Sequence, residues 1–399
     1  MATANPTPTR WDTLAGEYLL RPGSIPGVLG QRPVLGHGRL GQMLRGQCGT
    51  AAVNALGRLF TLCAHAHRRA ATLALAAAQG QTPSLDAAPA PVALWLETAR
   101  EHLRSMALDW PQRLPEAGAA GADLYWLRGC PLPLVTRHAP IDSAAAMAQL
   151  RQLRHWLEES MLCQPISHWL QDNRAPEAFA GWCQSHAARL PPARFLSAWY
   201  PLAGRLHLPT RCLQVLHQDP SLQNPQLTEL AQAMVALPDF VQQPTWQGQC
   251  AENGPWNRLR HGLQQDGTPR SAWWRLSARW LELLALAQAT TDASAGPHAC
   301  SPGAAGMLST GALRLAHDQA LGWCEMARGL LLHWVQLDPA GAVLDYRVLA
   351  PTEWNFHPQG ALAQAVAALQ PQDQPTAAML AAAYDPCVSC RVFGATVAH

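Results

Sequence analysis

The chain has 399 residues, 48% of them hydrophobic, a formal net charge of +2, and Arg at every one of its 29 basic positions. That length supports one large core or two smaller ones. Scattered Arg excludes the basic stripe of a nucleic-acid binder, no apolar run reaches the roughly 18–20 residues of a membrane span, and the opening MATANPTPTR lacks the apolar core of a secretory signal.

Residues 1–45 are rich in Pro and Gly and read as extended or turn structure. From about Thr50 to Ala78 apolar residues fall at helical spacing, which predicts one long buried helix or a loop feeding one. Further helices are expected near 92–107, 143–160, 226–237 and 272–289, with Asp142-Ser143 capping the second. Residues 290–309 are small, polar and Pro/Gly-bearing, so they read as an internal loop or linker. Beyond them, His333–Leu337 and Ala342–Ala350 alternate like strands around the turn Asp338-Pro339-Ala340-Gly341. An Ala-rich helix near 376–383 precedes a closing cysteine turn. The fold class is mainly α with a small β portion. Charged residues at 14% with 16 Trp fit either a covered surface or a Trp-rich core.

Eleven Cys in a chain without a secretory signal imply a reducing compartment, where most are buried fillers and a minority bind metal. Cys387 and Cys390, in Asp385-Pro386-Cys387-Val388-Ser389-Cys390, can bind one metal or cycle as a dithiol. Cys63 and His67 stand four apart and share a helix face, as packed residues or as ligands. Arg328 lies in apolar surroundings and needs an anionic partner, either Glu325 through an ion pair or a bound ligand.

In order and spacing these segments resemble the large subunit of nickel–iron hydrogenases. The matching stretches are Arg45-Gly46-Gln47-Cys48, then Arg58 to Cys63 with His67, then Arg328-Gly329, Pro351-Thr352-Glu353-Trp354-Asn355 and the closing cysteine turn. The likeness covers roughly 40–75 and 320–393, and the region between carries no motif to check. It implies one large-subunit-like domain over 1–399.

In that family two cysteines bridge nickel to an iron that carries two cyanides and one carbon monoxide. Their positions match Cys63 and Cys390. The two ligands of nickel alone match Phe60 and Cys387, so one of them is an apolar ring. The family's proton-relaying Glu matches Cys48, and its last His matches Phe393. The residues that donate to the cyanides match Arg328 and Thr352, apt donors to a partly charged nitrogen. The resemblance implies retained iron thiolates and no nickel. The family's cleaved C-terminal extension has no counterpart, so no processing step is expected.

These departures resemble the hydrogenase expression/formation proteins of the HupK/HoxV type. The implied function is a non-catalytic, cytoplasmic scaffold in nickel–iron hydrogenase maturation. It would carry the iron–cyanide–carbonyl unit between a HypC-like maturation chaperone and the immature large subunit. Cys63, Cys390 and Cys387 are its expected metal ligands, with Cys48 and His67 as further candidates. A structural zinc site on Cys63, His67, Cys387 and Cys390, a metal-free interaction protein and a divergent large subunit remain alternatives.

Overall fold

In the computed structural model, the described residues are 14–36, 38–81, 91–114, 123–134, 142–208, 211–216, 220–263, 271–291 and 308–393. The chain begins with strands β1 (Glu17–Leu20) and β2 (Val28–Gln31), followed by helices α1 (Arg39–Leu44), α2 (Gly49–Leu59) and α3 (Ala64–Ala78). Next come α4 (Pro91–Arg104), α5 (Trp110–Arg113), α6 (Ser143–Trp156), α7 (Ile166–Asp172), α8 (Pro176–His186) and α9 (Pro191–Ala203). Helices α10 (Pro220–Ala236), α11 (Pro255–Leu263) and α12 (Ala272–Gln288) lead to strands β3 (Thr310–Arg314), β4 (Gln319–Met326), β5 (Gly329–Leu337) and β6 (Val343–Leu349). Helices α13 (Pro351–Asn355), α14 (Ala361–Ala367) and α15 (Gln374–Tyr384) precede β7 (Ser389–Val392). The mainly helical class with a small sheet portion is therefore observed.

Strands β3–β6 form an antiparallel meander, and the expected hairpin closes through Asp338, whose carboxylate accepts from the Ala340 and Ala342 N–H groups. Strand β5 is buried on both faces, which explains its near-continuous apolar run. Leu330, Leu332 and Trp334 join a cluster with Leu227, Leu230 and Trp246, whereas Leu331 and Val335 join the main core. Helix α3 lies close on this sheet. A Cβ at Gly322 would stand 2.3 Å from the Ala70 carbonyl oxygen, so only glycine admits this approach.

The Trp content belongs mainly to the core. Trp169 and Trp273 meet Phe179 edge-on, Trp169 also packs against Trp280, and most Trp side chains are buried. At α6 the expected cap is present, with Asp142 accepting from the Ala145 N–H at 2.7 Å. Of the expected loop 290–309, residues 292–307 lie outside the described residues.

Two differences from the sequence reading bear on the site. The stretch 50–78, expected as one long helix or a loop feeding one, forms two helices: α2 stops at Leu59, Phe60 leaves helical geometry, and Thr61–Cys63 forms one tighter turn before α3. The amides at the new helix start are satisfied from another helix. Glu97 of α4 accepts from His65 N–H at 2.8 Å and Ala66 N–H at 2.9 Å, so the break costs no orphaned donor there. Secondly, β1 pairs antiparallel with β2 and parallel with β7, which draws the closing cysteine turn against the first strands of the chain.

Candidate metal-carrying thiol pocket

The interruption at Phe60 and the turn before β7 converge. Cys63 and Cys387 line one cavity of about 270 Å³ with Leu14, Arg32, Phe60 and Val388. Cys63 is buried and Cys387 half-buried, and both thiols are free. Burial raises the Cys63 thiol well above its ordinary value, and the neighbouring Cys387 adds to the rise. Arg328 and Arg32 oppose it by favouring the thiolate. Two sulfurs beside two guanidinium groups form a site suited to a soft, electron-poor metal with anionic ligands.

Thr352 enters from α13 with its hydroxyl oxygen 3.1 Å from Cys387 Sγ, and the Cys387 N–H donates to that oxygen at 3.5 Å. Arg328 sits in the tight connection between β4 and β5. Its Nε donates to the Asp385 carbonyl oxygen at 3.0 Å, and it forms ion pairs with the Asp385 carboxylate at 3.3 Å and with Glu101 at 3.1 Å. The ion pair with Glu325 weighed from the sequence is replaced, because Glu325 accepts from the Ser309 N–H and faces Arg258. Arg328 Nη2 is buried without a hydrogen-bond partner among the described residues. An unspent donor beside thiols fits a ligand rich in acceptors.

The remaining expected residues are placed differently. Cys390 does not line the cavity. Its strand begins at Ser389, and pairing of Cys390 with Tyr18 fixes the direction of its side chain. Burial pushes its thiol up to about 12, opposed by Arg113. Cys63 and Cys387 are thus the cysteines that share the cavity, while Cys390, which the resemblance pairs with Cys63, lies outside its lining.

His67 is turned to the sheet: Nδ1 is 3.0 Å from His333 Nε2, and His333 Nδ1 is 2.7 Å from Tyr346 OH. Burial lowers both imidazoles, His333 to about 3, so the pair is neutral. The ring of His67 stacks on Phe60 with centroids 3.9 Å apart. Cys48 is exposed at the start of α2 and does not line the cavity. Among the described residues, no three His, Cys, Asp or Glu side chains converge as a metal site. His67, one of the four ligands of the zinc alternative, is hydrogen-bonded to His333 instead.

Arg32 was missed by sequence reasoning. It is one of many scattered Arg, and nothing in Gln31-Arg32-Pro33 marks it, yet it is buried in the cavity wall. Glu353, a neighbour of Thr352, faces it across 3.5 Å and receives a hydrogen bond from Tyr18 OH at 3.4 Å. Burial raises the Glu353 carboxyl, opposed by Arg32. Asp385 was visible as part of the Asp-Pro-Cys motif, but its pairing with Arg328 spans 57 positions and carries no local signal.

Residues 310–393, which hold the four-stranded sheet, Thr352 and the closing cysteine turn, match the nickel-dependent hydrogenase family. A crystal structure of an NAD+-reducing [NiFe]-hydrogenase in the H2-reduced state is 16% identical, with a TM-score of 0.48 and coverage of 91% of this chain and 92% of that one. The hydrogenase expression/formation protein HoxV of Cupriavidus necator is 39% identical over 418 residues, covering 95% of this chain and 96% of its own. The hydrogenase expression/formation protein HupK of Rhizobium leguminosarum bv. viciae is 29% identical over 360 residues, covering 84% of each chain. The chain belongs to the hydrogenase expression/formation protein family that includes HoxV and HupK. Among the described residues no helix is long and apolar enough to cross a membrane.

Proposed function

We propose that this protein is a non-catalytic scaffold in nickel–iron hydrogenase maturation, and that its cargo is an iron carrying cyanide and carbon monoxide. One observation carries the reading: Cys63 and Cys387 share a cavity lined by Arg32, the Arg328 charge acts on both sulfurs, and the Thr352 hydroxyl lies 3.1 Å from Cys387. The thiolates suit low-spin iron, and the guanidinium groups and hydroxyl suit cyanide nitrogen, which accepts hydrogen bonds strongly. Phe60 occupies the position matched to a nickel ligand, and its ring cannot coordinate a metal. The same pocket therefore favours an iron carrier over an enzyme that turns over hydrogen.

Cys63 and one sulfur of the closing turn hold the iron, Cys387 in the arrangement seen and Cys390 by resemblance. Delivery is ligand exchange, in which a competing thiolate pair on the receiving protein replaces these sulfurs. The donor is a HypC-like chaperone and the acceptor the immature large subunit. Both meet the protein in the cytoplasm.

Single substitutions Cys63→Ala, Cys387→Ala and Cys390→Ala test this by bound iron and by mature hydrogenase in cells lacking the native copy. Cys63→Ala is expected to lose both, and the other two identify the second iron sulfur. Normal maturation with Cys63→Ala would overturn the carrier role.

A further inference from the structure

Arg32 has no role in the resemblance, yet its placement is costly. Its side chain is 6% exposed, Nε has no hydrogen-bond partner among the described residues, and Nη1 has only the Glu353 carboxylate, 3.5 Å away. That long contact balances part of the charge and leaves Nε unmatched. Burying unspent guanidinium donors is unfavourable unless something accepts from them. Arg32 lines the cavity that holds Cys63 and Cys387, and its charge acts on both sulfurs.

The chain fixes Arg32 there from two sides. Gly16, at φ +76°, lets the preceding segment lie against it, since a Cβ at Gly16 would stand 2.8 Å from Arg32 Cα. On the other side, the guanidinium carbon lies 5.6 Å from the centre of the Phe60 ring, within cation–π range. Phe60 itself is held by its stack on His67. The aromatic ring in the matched nickel-ligand position thus seats a cation beside the thiols.

We propose that Arg32, seated on Phe60, is a further anion-binding residue of the thiol pocket, and that its unmatched donor takes a small linear anion of the cyanide type. As an account of how the cargo is held, this rests on the iron-carrier reading and adds a second guanidinium to Arg328. Glu353 competes with the anion for Arg32, so the subsite is strongest when that carboxylate is removed.

Titration of metal-free protein with potassium thiocyanate tests this, with the C≡N stretch of the bound anion as the readout. The wild type is expected to bind. Arg32→Met should bind roughly ten- to a hundredfold more weakly, the range for a lost charge-assisted hydrogen bond. Glu353→Gln should bind as tightly as wild type or more so. Arg32→Lys keeps the charge without the planar fork and should bind with intermediate affinity, which decides the matter if Arg32→Met fails to fold. No binding by the wild type, or equal affinity in the wild type and the Arg32 variants, would overturn the subsite. Because the titrated protein is metal-free, loss of the iron-carrier reading leaves a positive thiocyanate result standing. Bound iron with no thiocyanate effect removes Arg32 alone.

Discussion

The hydroxyl oxygen of Thr352 lies 3.1 Å from the sulfur of Cys387 and accepts from the Cys387 backbone N–H, so a five-residue helix and the closing cysteine turn are locked together. The hydroxyl proton remains free to donate to the Cys387 thiolate or to a ligand beside it. Around this contact the chain gathers Cys63 from a helix break, Arg32 from the end of a strand and Arg328 from a tight strand connection. Residues hundreds of positions apart form one pocket because β1 pairs with β7 and α3 packs on the sheet.

Arg328 acts on both sulfurs through its charge and ties two buried carboxylates together behind them. Arg328→Met leaves Glu101 and Asp385 without this buried cation, and removing one member of such a set costs about 3–5 kcal/mol. Urea unfolding is expected to show that loss. Arg328→Lys should recover part of it, because one ammonium cannot reach both carboxylates as the fork does.

Glu97 carries a pH dependence. Burial pushes its carboxyl up to about 7, although the His65 and Ala66 amides lower it. Its contribution to stability is fully present below the ordinary value of 4.5 and is lost as pH rises through about 7. Glu97→Gln cannot ionise, so its stability should fall less than that of the wild type between pH 5 and about 7.5. Thermal unfolding across that range measures the difference. The same slope in both proteins would contradict the assignment.

Phe60→Cys places a thiol beside Cys63 and Cys387, at the position that the resemblance matches to a nickel ligand. Trimming a packed ring costs stability, roughly 3 kcal/mol by analogy with buried Phe truncations, because the stack on His67 and the contact with Arg32 are lost. In exchange, the pocket gains a third sulfur, enough to retain a divalent ion with an open position. Anaerobically purified Phe60→Cys is expected to hold more nickel or zinc per chain than the wild type, by elemental analysis.

The sequence exposed the elements whose signals are local. The strands β5 and β6, the turn at Asp338, the Asp142 cap and the cysteine turn each lie within a few residues and appear where expected, although β5 is buried on both faces rather than alternating. The break at Phe60 was not legible, since the periodicity runs on and the Glu97 that caps the second half is more than thirty positions away. Arg32 and Glu353 escaped for the same reason: a pocket wall made from three distant segments leaves no spacing to read. Cys48 and His67, the further candidates, are placed away from the pocket. Their order along the chain matched a family pattern, while exposure took the first away from the pocket and hydrogen bonding to His333 turned the second toward the sheet.

The central claim is that the pocket carries iron with its diatomic ligands. Its most direct test is an infrared spectrum of protein purified without oxygen from cells making hydrogenase, with iron, nickel and zinc assayed on the same sample. The account expects one carbonyl band, two cyanide bands and iron without nickel. A spectrum empty in that region, from protein isolated together with its chaperone, would contradict it.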